Sequence, residues 1–262
     1  MNLQSSRVAL FSILACWSSA LSYPFSADAE LSQEQWIMDD LKANLPADQQ
    51  LELKAGEQAF MAWQQESMAP FTKGSVIFLP DGAQHTVSRQ TFGALRSDLV
   101  NFGWNTLSLV VPPYYDLNQA EDRQAYQQQL QQRVTAALTH AKQTPGAIVV
   151  VAQGSNGALI NQLIEQKLID APQALVLLGA SLLDPQANLA SIKAMSKHQV
   201  PTLDIIQQSD NSSALASLQH RSQWTRKQVK DLYRQRYWPE DQSLNQQWLE
   251  KEMIGWLRYI GY

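Results

Sequence analysis

The chain has 262 residues, 45% of them hydrophobic and 17% charged, enough apolar material for one sizeable core or at most two small ones. Its formal net charge of -4, without any cluster of Lys or Arg, argues against a nucleic-acid partner. The eight Trp and eight Tyr follow no internal period, which argues against a repeat architecture.

Residues 1–29 read as a signal peptide. Arg7 precedes the apolar run Val8 to Leu14, whose character persists to about Leu21, and Ala27-Asp28-Ala29 is the small-x-small pattern of signal-peptidase cleavage. The apolar part is shorter than the ~20 residues that a spanning helix needs. No later stretch is apolar enough to cross a membrane, so the expected location is periplasmic or secreted. Ile13-Leu14-Ala15-Cys16 also resembles a lipoprotein cleavage box in which Leu14 fits poorly, and lipidation of Cys16 stands as the minor alternative. Cys16 is the one cysteine in the sequence, so a chain cut after Ala29 carries no disulfide.

Residues 30–56 read as an N-terminal helical extension, with Trp36, Ile37, Leu41 and Leu45 on one face and a stop at Pro46. Residues 57–262 read as one domain. Glu57 to Gln65 alternates weakly, as an edge strand does, and Ser75 to Leu79 is a buried strand closed by Pro80-Asp81-Gly82. A helix from Ser88 to Phe102 ends at Gly103, a typical C-cap residue, and Thr106 to Val111 is the next strand. Gln119 to Gln143 is a long Gln-rich helix with Tyr126, Leu130, Val134 and Leu138 in a stripe. Ile148 to Val151 is a fully buried strand, followed by the turn Gln153 to Gly157 and a helix through Ala158 to Ile164. Ala174 to Leu178 and Pro201 to Ile206 are further strands, a polar helix spans roughly Ser213 to Lys230, and Leu232 to Trp238 and Leu244 to Tyr259 are the last strand and helix. This alternation specifies an α/β fold, a mostly parallel sheet with helices on both faces.

The order of elements, with strand, turn and helix in mid-chain and an Asp after the penultimate strand, resembles the α/β-hydrolase fold. More narrowly, Val76-Ile-Phe-Leu-Pro-Asp-Gly-Ala-Gln-His85, the segment Ala94 to Pro113 containing Gly103-Trp-Asn-Thr-Leu-Ser-Leu109, and Pro201 to Asp210 are similar to an exported bacterial α/β-hydrolase-like family of unknown function. In that family a Gly-x-Gly-x-His loop precedes a comparable Gly-Trp-x-Thr-Leu-Ser segment, and the match runs from about Gln58 to the C-terminus. The resemblance implies architecture more than activity, since one fold hosts many functions.

Serine hydrolases of this fold carry their nucleophile on a strained turn, with small residues two positions to either side. Ser155 in that slot would put Gln153, which is too large, two residues ahead of it; placing Gly154 there gives Ala152 and Asn156 as flanks and leaves the slot without a side chain. Ser155 then caps the following helix. Asp210 stands where hydrolases keep the acid that orients the histidine, or else closes a turn, with Asp184 a weaker substitute. No histidine follows His220, whereas the base belongs after the last strand. His140, His198 and His220 read as solvated surface residues. His85 lies on the loop that supplies an oxyanion-hole amide, and with Asp81, Gly82, Gln153, Gly154 and Asn156 it is expected to line the pocket.

No cofactor is implied: no His, Cys and carboxylate cluster has metal-ligand spacing, and the turn lacks the Lys and the glycines of a phosphate loop. Two functional classes follow. One is an exported protein with a degenerate triad that binds a small-molecule ligand or an envelope protein; the other is an atypical esterase or amidase using Ser155, Asp210 and His85. N-terminal sequencing of the exported chain is expected to begin at Glu30, whereas a start at Met1 or a lipidated Cys16 would contradict the signal-peptide reading.

Overall fold

The computed structural model describes residues 35–36, 38–39, 42–43, 45–81, 92–113, 115–238 and 245–262, with 245 and 246 in backbone only. Its centre is a set of short apolar strands that have no polar face to give to water. Every residue of β3 (Gly74–Leu79) and β6 (Ala174–Leu178) is buried, as is β5 (Ala147–Gln153) up to its last residue. With β4 (Trp104–Leu109), β7 (Thr202–Gln207) and β8 (Tyr233–Trp238) they form a parallel array in the order β4-β3-β5-β6-β7-β8. Helices must therefore cover both faces. Leu130, Val134, Leu159, Leu163 and Met195 come from α2 (Ala120–Ala141), α3 (Gly154–Glu165) and α4 (Pro185–Lys197) to one face. Leu95, Leu99, Met253 and Trp256 come from α1 (Phe92–Leu99) and α7 (Asn245–Tyr259) to the other.

Two expectations are corrected at the start of the sheet. Residues 50–55, expected within a helical extension, form a strand, β1 (Gln50–Ala55), antiparallel to β2 (Gln58–Gln65). The signal was there: Leu51 and Leu53 alternate, and Gly56, at φ 65°, opens a two-residue turn to Gln58. In consequence β2 is not an edge strand but pairs on its other side with β4, and Phe60, Met61 and Ala62 are buried. The polar helix expected from Ser213 to Lys230 is two helices, α5 (Ser212–Ala216) and α6 (Leu218–Lys227).

The core also holds charged residues. Asp204 lies in the middle of β7 with no exposure, and accepts hydrogen bonds from Arg221 Nη1 at 2.9 Å and Tyr233 Oη at 2.7 Å. Arg221 also donates through Nε to Ser217 and through Nη2 to the Ala180 carbonyl, so both charges are satisfied within the core. Nearby, His198 is buried rather than solvated. Its Nε2 lies 3.1 Å from Asn161 Oδ1, and Asn161 Nδ2 donates to the Gly157 carbonyl, so Nε2 carries the proton and Nδ1 accepts from Lys230 Nζ at 3.1 Å. Lys230 gives its other two protons to the Met195 and His198 carbonyls at the end of α4. Burial lowers Lys230 to about 7, opposed by Asp204.

Burial first, then the charge of Lys230, lowers His198 from 6.5 to about 3. The unfolded chain therefore binds one more proton at this site between those values, and stability is lost as pH falls from 6.5 toward 3. Urea midpoints measured down this range should fall more steeply for the native protein than for His198→Gln, which keeps a polar side chain but has no proton to gain.

Candidate functional site

The sheet reverses its winding between β3 and β5. From β3 the chain passes to β4 on one side and then crosses to β5 on the other, and the helices after β3 and β5 lie on opposite faces. A crevice opens at the carboxyl ends of such strands. Register fixes what meets there. Leu79 stands opposite Ala152, so Asp81, two residues on, comes abreast of Gly154.

Gly154 is the first residue of α3 and sits at φ 53°, a left-handed conformation that glycine adopts without strain. A Cβ there would lie 2.2 Å from Asp81 Oδ2, so the carboxylate occupies the space of a side chain at this position. Asp81 Oδ1 accepts from Ser155 Oγ at 2.6 Å and from the Ser155 N–H at 3.3 Å. The formal N-cap, Gln153, makes no side-chain capping bond. Asp81 supplies that bond from just beyond the neighbouring strand β3, at the positive end of the helix dipole. Ser155 does not itself cap α3; it donates to the residue that does.

Asn156 is fully buried and fixes the surroundings. Its amide donates to the Pro80 carbonyl at 2.6 Å, and its oxygen accepts from Tyr126 Oη at 2.8 Å, joining α2, α3 and the end of β3. Burial pushes the Tyr126 phenol well above its usual range, so it remains a donor. Asp81, Ser155, Tyr126, Tyr115, Leu117 and Leu182 line a cavity of about 300 Å³. Ser181 and Asn211, hydrogen-bonded to each other, and the exposed Leu183 also line it.

Asp210 follows β7 as expected but faces the turn. Its Oδ2 accepts from the Gln207 N–H at 2.7 Å, and its Oδ1 would meet a Cβ on Gly179 at 2.3 Å. Burial raises its carboxyl above the ordinary carboxylate range. Asp184 caps α4 through the Ala187 N–H. His140 bonds Gln64, His220 is exposed and His198 lies in the cluster described above, so none of these three imidazoles lines the cavity. Gly82 and His85 lie outside the described residues. Gln153, Gly154 and Asn156 are not among the described residues that line the cavity, and the buried Oε1 of Gln153 meets no donor among the described residues. The described residues hold no group of three His, Cys, Asp or Glu placed for a metal.

Of the residues expected from the sequence, Asp81 and Ser155 are at the cavity wall, and the sequence reading did not name Tyr115, Ser181 and Asn211. These three come from loops after β4, β6 and β7, and no motif marks them. Tyr126 was assigned to a core stripe, and its hydroxyl is legible only once Asn156 is seen beneath it.

A model of the family described as "Protein of unknown function (DUF3530)" matches residues 22–120 and 113–259. No curated protein matches the chain. Among solved structures it resembles Est1E from Butyrivibrio proteoclasticus, with a TM-score of 0.61 at 13% identity over 80% of this chain and 99% of that one. It also resembles a thermophilic esterase, Est2, from Thermogutta terrifontis, with 0.62 at 12% identity over 82% and 96%. A dienelactone hydrolase from Anabaena variabilis gives 0.57 at 16% identity over 80% and 98%. At such identities the likeness is one of fold: this is an α/β-hydrolase-type sheet in a single domain.

Because the register forces contact, Gly154→Ala should destabilise the protein by about 2–3 kcal/mol, through an unfavourable φ and collision with Asp81. Asp81→Gly should lose the helix cap, about 1 kcal/mol, yet the double variant should be less unstable than the sum of the two. Additive losses in denaturant unfolding would show that the two residues do not compete for one space.

Proposed function

The chain belongs to the DUF3530 family of unknown function, and from its site we propose that it is an exported α/β-hydrolase-fold protein that binds a small molecule without serine catalysis. One observation carries this reading: where the fold's nucleophile would project, Gly154 has no side chain and the Asp81 carboxylate fills the space. The consequence is electrostatic as well as steric. In hydrolases the N–H of the residue after the nucleophile stabilises the oxyanion; here that residue is Ser155, and its N–H is engaged by a carboxylate. A substrate carbonyl acquiring negative charge would be repelled from that point.

What remains is a pocket of about 300 Å³, with leucine and tyrosine walls and the Asp81 carboxylate as the charged group among its polar lining residues. That volume lies at the small end of the ~300–1,000 Å³ usual for ligand sites. It suits a short apolar molecule whose polar end donates a hydrogen bond, an alcohol or an amine rather than an ester or a carboxylate. The signal-peptide reading of residues 1–29 supports export, with such binding in the periplasm or outside the cell.

Ser155 should resist fluorophosphonate labelling, and Ser155→Ala should leave the hydrolysis of p-nitrophenyl acetate at the background rate of the native protein. In thermal-shift titrations hexanol and hexylamine should raise the melting temperature and hexanoate should not, with the effect lost in Leu182→Trp, which fills the pocket. Stoichiometric labelling of Ser155, abolished by substituting His85 or Asp210, would replace this proposal with the atypical esterase.

A further inference from the structure

At the opposite end of the sheet from the pocket, α6 finishes in a way that its sequence does not favour. The N–H of Lys230 bonds the Thr225 carbonyl and that of Val229 bonds the Arg226 carbonyl, each at 3.1 Å, the paired bonds of a Schellman cap. That cap needs a left-handed residue, normally glycine, and Val229 takes it at φ 52°. A β-branched residue is a genuine outlier there. The strain brings no packing in return, because Val229 is 72% exposed. Lys167 has the same conformation at the end of α3, but it is unbranched.

The neighbours of Val229 are of two kinds. Leu232, three residues on, is also exposed. Trp224 lies between Lys193 and Lys227, whose ammonium groups are 5.2 and 5.0 Å from its ring, and Arg226 is exposed beside them. Among the described residues Lys193, Arg226 and Lys227 join no ion pair. An open groove of about 430 Å³, lined by Arg226, Thr225, Val229, Gln235 and the exposed Asp231, runs alongside. Set against Asp231, the cations Lys193, Arg226 and Lys227 leave the patch net positive, with an apolar tip, on a chain of net charge -4. The Leu232 carbonyl accepts from the N–H of Thr202 at the start of β7, so the patch lies where the strands begin and the pocket where they end.

We propose that this patch is a docking surface for an anionic phospholipid bilayer, with Val229 and Leu232 entering the interface and Lys193, Arg226 and Lys227 meeting headgroup phosphates. Apolar residues at the tip, a tryptophan at the boundary and cations around it are the elements of interfacial binding. Each cation near an anionic leaflet adds to the attraction, which salt screens. In this orientation the pocket faces away from the membrane, and docking does not depend on what the pocket binds.

The test is vesicle sedimentation with the chain purified as the cell processes it. Partitioning onto phosphatidylglycerol vesicles should exceed that onto phosphatidylcholine vesicles at least tenfold at low salt and fall as salt rises. Arg226→Glu with Lys227→Glu should lower it at least tenfold. Val229→Gly separates function from folding: it should raise the melting temperature, by relieving the strained φ, and still weaken partitioning severalfold. Equal binding to both vesicles, unchanged binding of the charge variant, full binding of Val229→Gly, or retention on soluble heparin without vesicle binding would each overturn the proposal.

Discussion

The approach of the Asp81 carboxylate to Gly154 ties together the sheet register, the start of α3 and the floor of the pocket. Parallel pairing of β3 with β5 brings the two strand ends level, and the missing Cβ lets the carboxylate reach the first amides of the helix. A side chain at residue 154 would displace Asp81, leave α3 uncapped and reshape the cavity. The same device recurs two strands away, where the Asp210 carboxylate lies against Gly179, at φ 59°. In both places a glycine at a strand end admits an acid from the loop after the neighbouring strand. In both places the acid accepts a hydrogen bond from a backbone N–H, which helps to fix its position.

Helix α3 is held a second time within its length. Asn161 links the Gly157 carbonyl to His198, and His198 leads through Lys230 to the last carbonyls of α4. A buried network of this kind adds little net stability over an apolar equivalent, because desolvation offsets its attraction, but it admits few alternative packings. Asp204 with Arg221 and Tyr233 does the same for β7, α6 and β8. Arg96 is a contrast. Its guanidinium lies 2.9 Å from the centre of the Trp63 ring, its Nε and Nη1 reach no acceptor, and burial lowers it to about 9. An aromatic face there does part of the work of a counter-ion.

The apolar runs at 74–79, 147–152 and 174–178 determined by themselves that a parallel sheet stands here, since strands without a polar face require cover on both sides. Small-residue spacing around Gly154 likewise determined where the chain turns, because backbone sterics are local and written in residue size. The strand order, the capping of α3 by a residue 74 positions away, the burial of His198 and the assembly of the pocket from four loops were decided by tertiary structure. Each of these depends on which groups meet across the sheet, and local propensity carries no record of distant partners. Polar residues show this most plainly: His198 reads as a surface residue in sequence, yet it is buried with Asp204 and Arg221, and only their partners make that burial tolerable.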